Sequence, residues 1–391
     1  MTFGGSEAGG SETDRSDPVG TRAIGLMRRE IATIPDVIAD QATSLRPRLR
    51  DIARSLPNEL MDIVLTGCGD SHFAGVATRL AFERAAGVRC RPAEALELAR
   101  YEVRYVPLVP APPLLVAVSY SGEVGRTIEA AATARVFGWR TIALTGKADG
   151  RLAQAVGDPV LMDVPTLGST PGTSTYVAMV TALLVLAAEL ARARGRIVEA
   201  DRLDREIASA PELATATLGL SDQPAQQLAE IMTTETVVTF IGAGPSRASA
   251  SFGAAKVLEG AQRHGVAQDL EEWAHEQYFV SGPGTPIVVI APTGASRNRA
   301  AELVAEMSFI GATTALVSDD VDDVAARSAS IVLPIKTNDE AVSPLISCLP
   351  LALAAFYLSE ARQTRSYGFR SGEHEREHYE TIHRDARAEP A

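Results

Sequence analysis

The sequence predicts an α/β chain of two doubly wound parallel-sheet units, each a flavodoxin-like three-layer α/β/α sandwich, followed by a C-terminal arm. Three observations carry that prediction. Short, nearly continuous apolar strands alternate with helical patterns, the mark of parallel sheets buried on both faces. A strand running into Gly-x-Gly and then a helix occurs twice, in "DIVLTGCGDS" and "TVVTFIGAGPS". Between the two copies lies an Arg- and Ala-rich helical stretch, as expected of duplicated units joined by a linker.

Taken in order, residues 1–20 are polar, with neither a basic start nor an apolar core, and predict a flexible tail rather than a secretory signal. Residues 21–56 predict two amphipathic helices, from apolar positions three and four apart. The first unit spans 57–195, with strands in "MDIVLTG", "LLVAVS", "RTIALTGK" and "DPVLMDV" and a long, weakly charged helix near 177–193. A helical linker covers 196–230. The second unit, 231–365, repeats the layout with "TVVTFIG", "TPIVVIAPTGAS", "TTALVSDD" and "SIVLPI". The arm, 366–391, is polar and holds three of the six histidines.

Composition narrows the function. At 391 residues and 46% apolar, the chain can bury a full core. A net charge of −12 argues against sequence-independent nucleic-acid binding. No apolar run is read as reaching the roughly 20 residues of a membrane helix. Cys68, Cys90 and Cys348 are scattered and odd in number, so they are read as reduced, without a metal, in a cytoplasmic protein.

Chemistry concentrates at strand ends, where ligands of such sheets bind. Ser119-Tyr120-Ser121-Gly122 closes one strand and opens a helix; Gly69-Asp70-Ser71 and the stretch Ser169–Thr175 do the same elsewhere. Free N–H groups at a helix start favour an anion, and serine hydroxyls add donors. Helix capping alone would also explain any one of these turns; three on one sheet edge favour a phosphate cradle. Gly67-x-Gly69 and Gly242-x-Gly244 do not complete G-x-G-x-x-G, because His72 and Arg247 stand in third place. Lys256 and Glu259 share a helix face otherwise small and apolar, and are read as facing a cleft rather than as a surface ion pair. With His275 they form a general acid–base set.

In this order the motifs resemble the tandem SIS (sugar isomerase) domain family, in particular the isomerase half of glucosamine-6-phosphate synthase and related deaminases and deglycases. The family's C-G-T-S is similar to Cys68-Gly69-Asp70-Ser71, and its S-Q-S-G-E-T to Ser119–Val124. Its A-S-T-K loop resembles Thr173-Ser174-Thr175-Tyr176, its K-L-K-E helix Lys256–Glu259, and its G-E-L-K-H-G-P Glu271–Gln277 without a gap. Val124 departs from a phosphate-binding threonine, with Thr127 as the nearest hydroxyl, and Tyr176 departs from the loop lysine. His374 falls near the family's C-terminal lysine.

The resemblance implies an isomerase or deaminase of sugar phosphates, amino-sugar phosphates above all, with no metal or redox cofactor. Glu259 is implied as the base shuttling a proton between C1 and C2, His275 as the ring-opening residue and Lys256 as support for developing charge. Gly69, Ser71, Ser119, Tyr120, Ser121, Gly122, Thr127, Ser174, Thr175 and His374 are implied to bind substrate. It also implies a homodimer with shared active sites. The glutaminase half is expected to be absent from this protein, which makes a separate ammonia-supplying glutaminase a candidate partner. Deglycation of glycated-amine 6-phosphates is the enzymatic alternative, and non-catalytic sugar-phosphate sensing the alternative of another class.

Overall fold

The computed structural model describes residues 21–57, 60, 62–105, 112–337, 339–369 and 371–383; the expected N-terminal tail lies outside them. Helices α1 (Thr21–Ser44) and α2 (Arg46–Ser55) precede the first sheet. That unit runs β1 (Asp62–Gly67), α3 (Asp70–Ala81), β2 (Arg89–Glu94), α4 (Ala95–Glu97), β3 (Leu114–Ser119), α5 (Gly125–Val136), β4 (Arg140–Thr145), α6 (Arg151–Val156), β5 (Val160–Leu161) and α7 (Ser174–Ala193). One long helix, α8 (Ile197–Thr234), leads to the second unit. There follow β6 (Val237–Gly242), α9 (Ser246–Ala261), β7 (His264–Asp269), α10 (Leu270–His275), β8 (Pro286–Ile290), α11 (Arg297–Phe309), β9 (Thr313–Ser318), α12 (Val324–Ser328), β10 (Ile331–Pro334) and α13 (Pro344–Arg362). The arm contains α14 (Gly372–Glu377).

Both sheets are wholly parallel and share one strand order, β2-β1-β3-β4-β5 and β7-β6-β8-β9-β10. This is the flavodoxin-like order, so the predicted fold class holds and the duplication extends to topology. It extends further, to single atoms. A Cβ on Gly67 would lie 2.5 Å from Ser71 Cβ, and one on Gly242 would lie 2.6 Å from the Ser246 carbonyl oxygen. Gly69 and Gly244 both sit at φ +55°, where side chains are strained. In each unit only glycines let the first strand turn this tightly into its helix.

The central strands β3 and β8 are buried along their whole length, which explains their uninterrupted apolar character. The edge strands β2 and β7 escaped the sequence reading. Each pairs on one side only, and β2 tolerates Pro92 because an edge strand has N–H positions that need no ladder partner.

One expectation needs correcting. Helices α7 and α13 are both long and apolar enough to cross a bilayer. Scattered Ser, Thr and Tyr residues, with Glu189 in α7 and Glu360 in α13, interrupt the runs to the eye while leaving their overall character apolar. Yet 94% and 83% of their most apolar stretches are buried in the protein. They join α1, α8 and α9 in one core that draws on both sheets, so burial inside the fold accounts for their composition.

Candidate functional site

The site is assembled from the two units together. From the first, α3 begins at Asp70, directly after the left-handed Gly69, with its carboxylate in the helix's first turn, where the macrodipole favours negative charge. From the second, α9 lies against α3 and carries Lys256 inward. Lys256 Nζ donates to Asp70 Oδ2 and to Glu259 Oε2, both at 2.7 Å. It also stands 5.1 Å from the centre of the Phe252 ring.

The Lys256 side chain is 0% exposed, against 17% for Asp70 and 30% for Glu259. The pair read as facing a cleft is therefore a buried ammonium with a half-buried carboxylate at its rim. An ammonium removed from water survives only if paired. Burial opposes the charge on Lys256, but Asp70 and Glu259 outweigh it and hold the group above the ordinary lysine range. Burial pushes Asp70 up to about 6, against the pull of Lys256 and with the added push of Glu259.

Two further segments close over this cluster. The loop before α7 passes so near that a Cβ on Gly172 would lie 2.9 Å from Thr175 Oγ1 and 3.0 Å from Asp70 Oδ2. Glu30, buried on α1, anchors that loop by accepting from Thr170 Oγ1 at 2.6 Å and Leu167 N at 3.4 Å; burial raises its pKa. From the arm, the Tyr367 N–H donates to the Glu259 carbonyl at 2.8 Å, and its hydroxyl donates to the Thr170 carbonyl at 3.1 Å. Tyr367 adopts φ +50°, uncommon for a bulky residue and a sign that its surroundings dictate the conformation. Burial first, and then Glu259, raises its phenol pKa.

Four buried polar atoms, in the turns after β1 and β3 and at the start of α7, have no protein partner among the described residues: Asp70 Oδ1, Ser119 Oγ, Thr173 Oγ1 and Ser174 Oγ. Unpaired buried polar groups cost free energy, and hydroxyls of a bound molecule would satisfy them.

The other residues named from sequence divide into those near this rim and those elsewhere. Ser71 is buried, its Oγ 3.3 Å from Met179 Sδ. Ser121 Oγ accepts from Glu123 N at 3.3 Å, and Gly122 holds φ +67° where a Cβ would meet Thr145 Oγ1 at 2.8 Å. Thr127 faces Cys68 Sγ at 3.7 Å, which places its hydroxyl at the turn but already engaged. The Tyr120 hydroxyl donates to the Val164 carbonyl at 3.0 Å, and its side chain packs against the cluster of Val37, Val164 and Ala178. His275 ends α10 with its side chain 69% exposed, and its neighbour is Glu271 at 3.5 Å, not Glu259. His374 stands edge-on to Phe369. Sequence reasoning missed Asp70, Glu30 and Tyr367 as members of the cluster. Only Asp70 left a signal, as a carboxylate inside a quoted turn.

A duplicated flavodoxin-like fold, with a buried polar cluster between a turn of one unit and a helix of the other, defines the class of this molecule. The SIS domain family matches residues 60–189 and 231–360. The chain belongs to that family. It is 28% identical over 341 residues to glutamine–fructose-6-phosphate aminotransferase (isomerizing) of Thermococcus kodakarensis, covering 86% of this chain and 55% of that protein. The corresponding protein of Zymomonas mobilis is 26% identical over 87% of this chain and 56% of its own length. The chain thus spans about half the length of the curated relatives it matches. Among solved structures, the C-terminal domain of glucosamine-fructose-6-phosphate aminotransferase from Francisella tularensis superposes with a TM-score of 0.76 at 21% identity, covering 88% of this chain and 97% of that one. Glucosamine-6-phosphate deaminase from Thermotoga maritima gives 0.60 at 18% identity, covering 84% and 95%.

Proposed function

We propose that this protein is an enzyme acting on the open-chain form of a sugar phosphate, an amino-sugar phosphate foremost, by moving a proton between C1 and C2. The observation that carries the reading is the buried Lys256 ammonium held between two carboxylates, with unpartnered hydroxyls at the end of β3 and in the segment that opens α7. Glu259, the more exposed carboxylate, is the base. It takes the proton made acidic by the neighbouring carbonyl or iminium and returns it to the adjacent carbon through an enediol or enolamine. Lys256 supports the negative charge that develops on the substrate oxygen and fixes the orientation of Glu259. Ser119, Thr173 and Ser174 receive hydroxyl and phosphate oxygens. His275, exposed and apart from the Glu259 of its own chain, opens the sugar ring in a site of a second copy, so the working species is a homodimer. If C2 carries nitrogen, the same enolamine leads to deamination. Non-catalytic sensing is the weaker reading, because binding alone gives no reason to bury a charged base–ammonium pair.

The test is turnover of fructose 6-phosphate, glucosamine 6-phosphate and a glycated-amine 6-phosphate, following ammonia and sugar products. Glu259→Gln is expected to lower kcat by about 10³-fold while leaving ligand-induced thermal stabilisation intact. An unchanged rate in that variant removes Glu259 from the role of base.

A further inference from the structure

The Asp70 carboxylate has no counterpart in the chemistry proposed above, which needs only one base and one cation. We propose that Asp70 sets the substrate class of this site: with Glu259 it outnumbers the single ammonium of Lys256, so the reacting end favours a cationic nitrogen, as ammonium or iminium, over a neutral hydroxyl. The inference rests on the sugar-phosphate reading and deepens it.

The charges around the cluster support an excess of negative charge. Asp70 and His72 come from α3, and His72 is 3.6 Å from Glu94. Lys256 and Glu259 come from α9, whose Arg263 is turned to the Thr233 carbonyl. Glu30 comes from α1 and lies near enough for Lys256 to act on it. Tyr367 from the arm, Tyr176 from α7 and Cys348 from α13 are neutral neighbours. Among the described residues the ammonium bonded to Asp70 is that of Lys256, and Arg126 of α5 acts on Cys68, two residues before Asp70.

Two carboxylates thus bond one buried ammonium, with Glu30 a third within its electrostatic reach, and charge imbalance beside a buried group is felt strongly. The second oxygen of Asp70 is buried and unpartnered, as are Thr173 Oγ1 and Ser174 Oγ of the adjoining loop. A positive group arriving at the reacting carbons relieves the excess; a hydroxyl does not. Discrimination then comes from an unfavourable site charge in the wrong complex as much as from attraction in the right one. Threonine in place of Asp70 would remove one negative charge and leave Glu259 as the carboxylate bonded to Lys256.

The experiment compares glucosamine 6-phosphate with glucose 6-phosphate, which differ at C2 alone, by calorimetric titration of the full chain. At pH 7 the native protein should bind the amine at least about tenfold more tightly. In Asp70→Asn and Asp70→Thr the ratio of the two dissociation constants should fall toward one. A second measurement needs no variant. Lowering the pH of the native protein from 7 to 5, through the value near 6 at which Asp70 takes up its proton, should shrink the same ratio, because phosphate titration is common to both ligands. Equal affinities in the native protein, or a ratio unmoved in both folded variants, would overturn the role of Asp70 and leave the sugar-phosphate reading standing. Binding of neither compound would overturn that reading and this inference together.

Discussion

At the end of β3 the chain leaves Ser119 Oγ buried and without a protein partner among the described residues. At the end of β8, the corresponding turn of the second unit, the chain supplies its own anions. Thr293 N donates to Asp319 Oδ1 at 2.7 Å and Ala295 N to Glu340 Oε1 at 3.2 Å, while Gly294 leaves room for nothing but the Glu340 carboxylate. The helices differ in the same sense. Lys256 and Glu259 stand ten and thirteen residues after Ser246; the same steps from Ser71 reach Ala81 and Arg84. Arg84 and Arg202 both bind Asp339, whose side chain is 8% exposed. A duplicated fold therefore offers two corresponding sets of turns. In one the loops leave polar groups waiting, and in the other Asp339 and Glu340 fill the same places from within.

The comparison breaks most severely at Lys256. Lys256→Met should cost about 3–5 kcal/mol, because it strands two carboxylates in a buried site; denaturant unfolding measures it. A loss under 1 kcal/mol would mean that the cluster is not sealed from water. Next come paired variants of the two turns. Glu340→Ala should lower stability by about 1–2 kcal/mol, with turnover unchanged, and should create a new stabilisation by inorganic phosphate as the vacated Ala295 N–H donates to it. Ser119→Ala should do the reverse, leaving stability nearly unchanged but weakening sugar-phosphate affinity up to about tenfold. If both variants behave alike, the two turns are not distinguished by who fills them.

The smallest effect is in pH. Asp70 in the fold titrates near 6, above its ordinary 3.8. Its contribution to stability is therefore complete below about 3.8 and is lost as pH rises through 6. Whatever constant offset the missing Lys256 bond brings, the Tm of Asp70→Asn should gain on that of the native protein between pH 4 and pH 7. A difference that stays flat across that range would show that Asp70 is not buried as an ionised acid.

Much of this architecture was legible before the structure. Apolar runs disclosed the central strands because those strands are covered on both faces, and the paired glycines disclosed the turns because no other residue fits there. Strands β2 and β7 were illegible for the opposite reason: with one pairing edge and partial exposure, "RCRPAE" and "HGVAQD" need no apolar pattern. At the site, the three-residue step from Lys256 to Glu259 was readable as one helix face. The Asp70–Lys256 bond was not, since 186 residues separate its ends and two units must dock to make it. His275 follows the base by a short stretch of sequence, but it rides out on α10, and only three-dimensional placement parts it from the Glu259 of its own chain. Tyr367 offered no signal at all; its importance lies in two bonds, one made by its main chain.

Those bonds give the molecule a property that neither unit has alone. Glu30 of α1 holds Thr170, Thr170 receives the hydroxyl of Tyr367, and Tyr367 grips the main chain of Glu259. The first described helix and the C-terminal arm are thereby tied to one another through the pocket, so fraying at either extremity is thermodynamically coupled to order at the base. Ligand that steadies Glu259 should slow hydrogen exchange at both extremities together, although no contact with ligand need reach either of them.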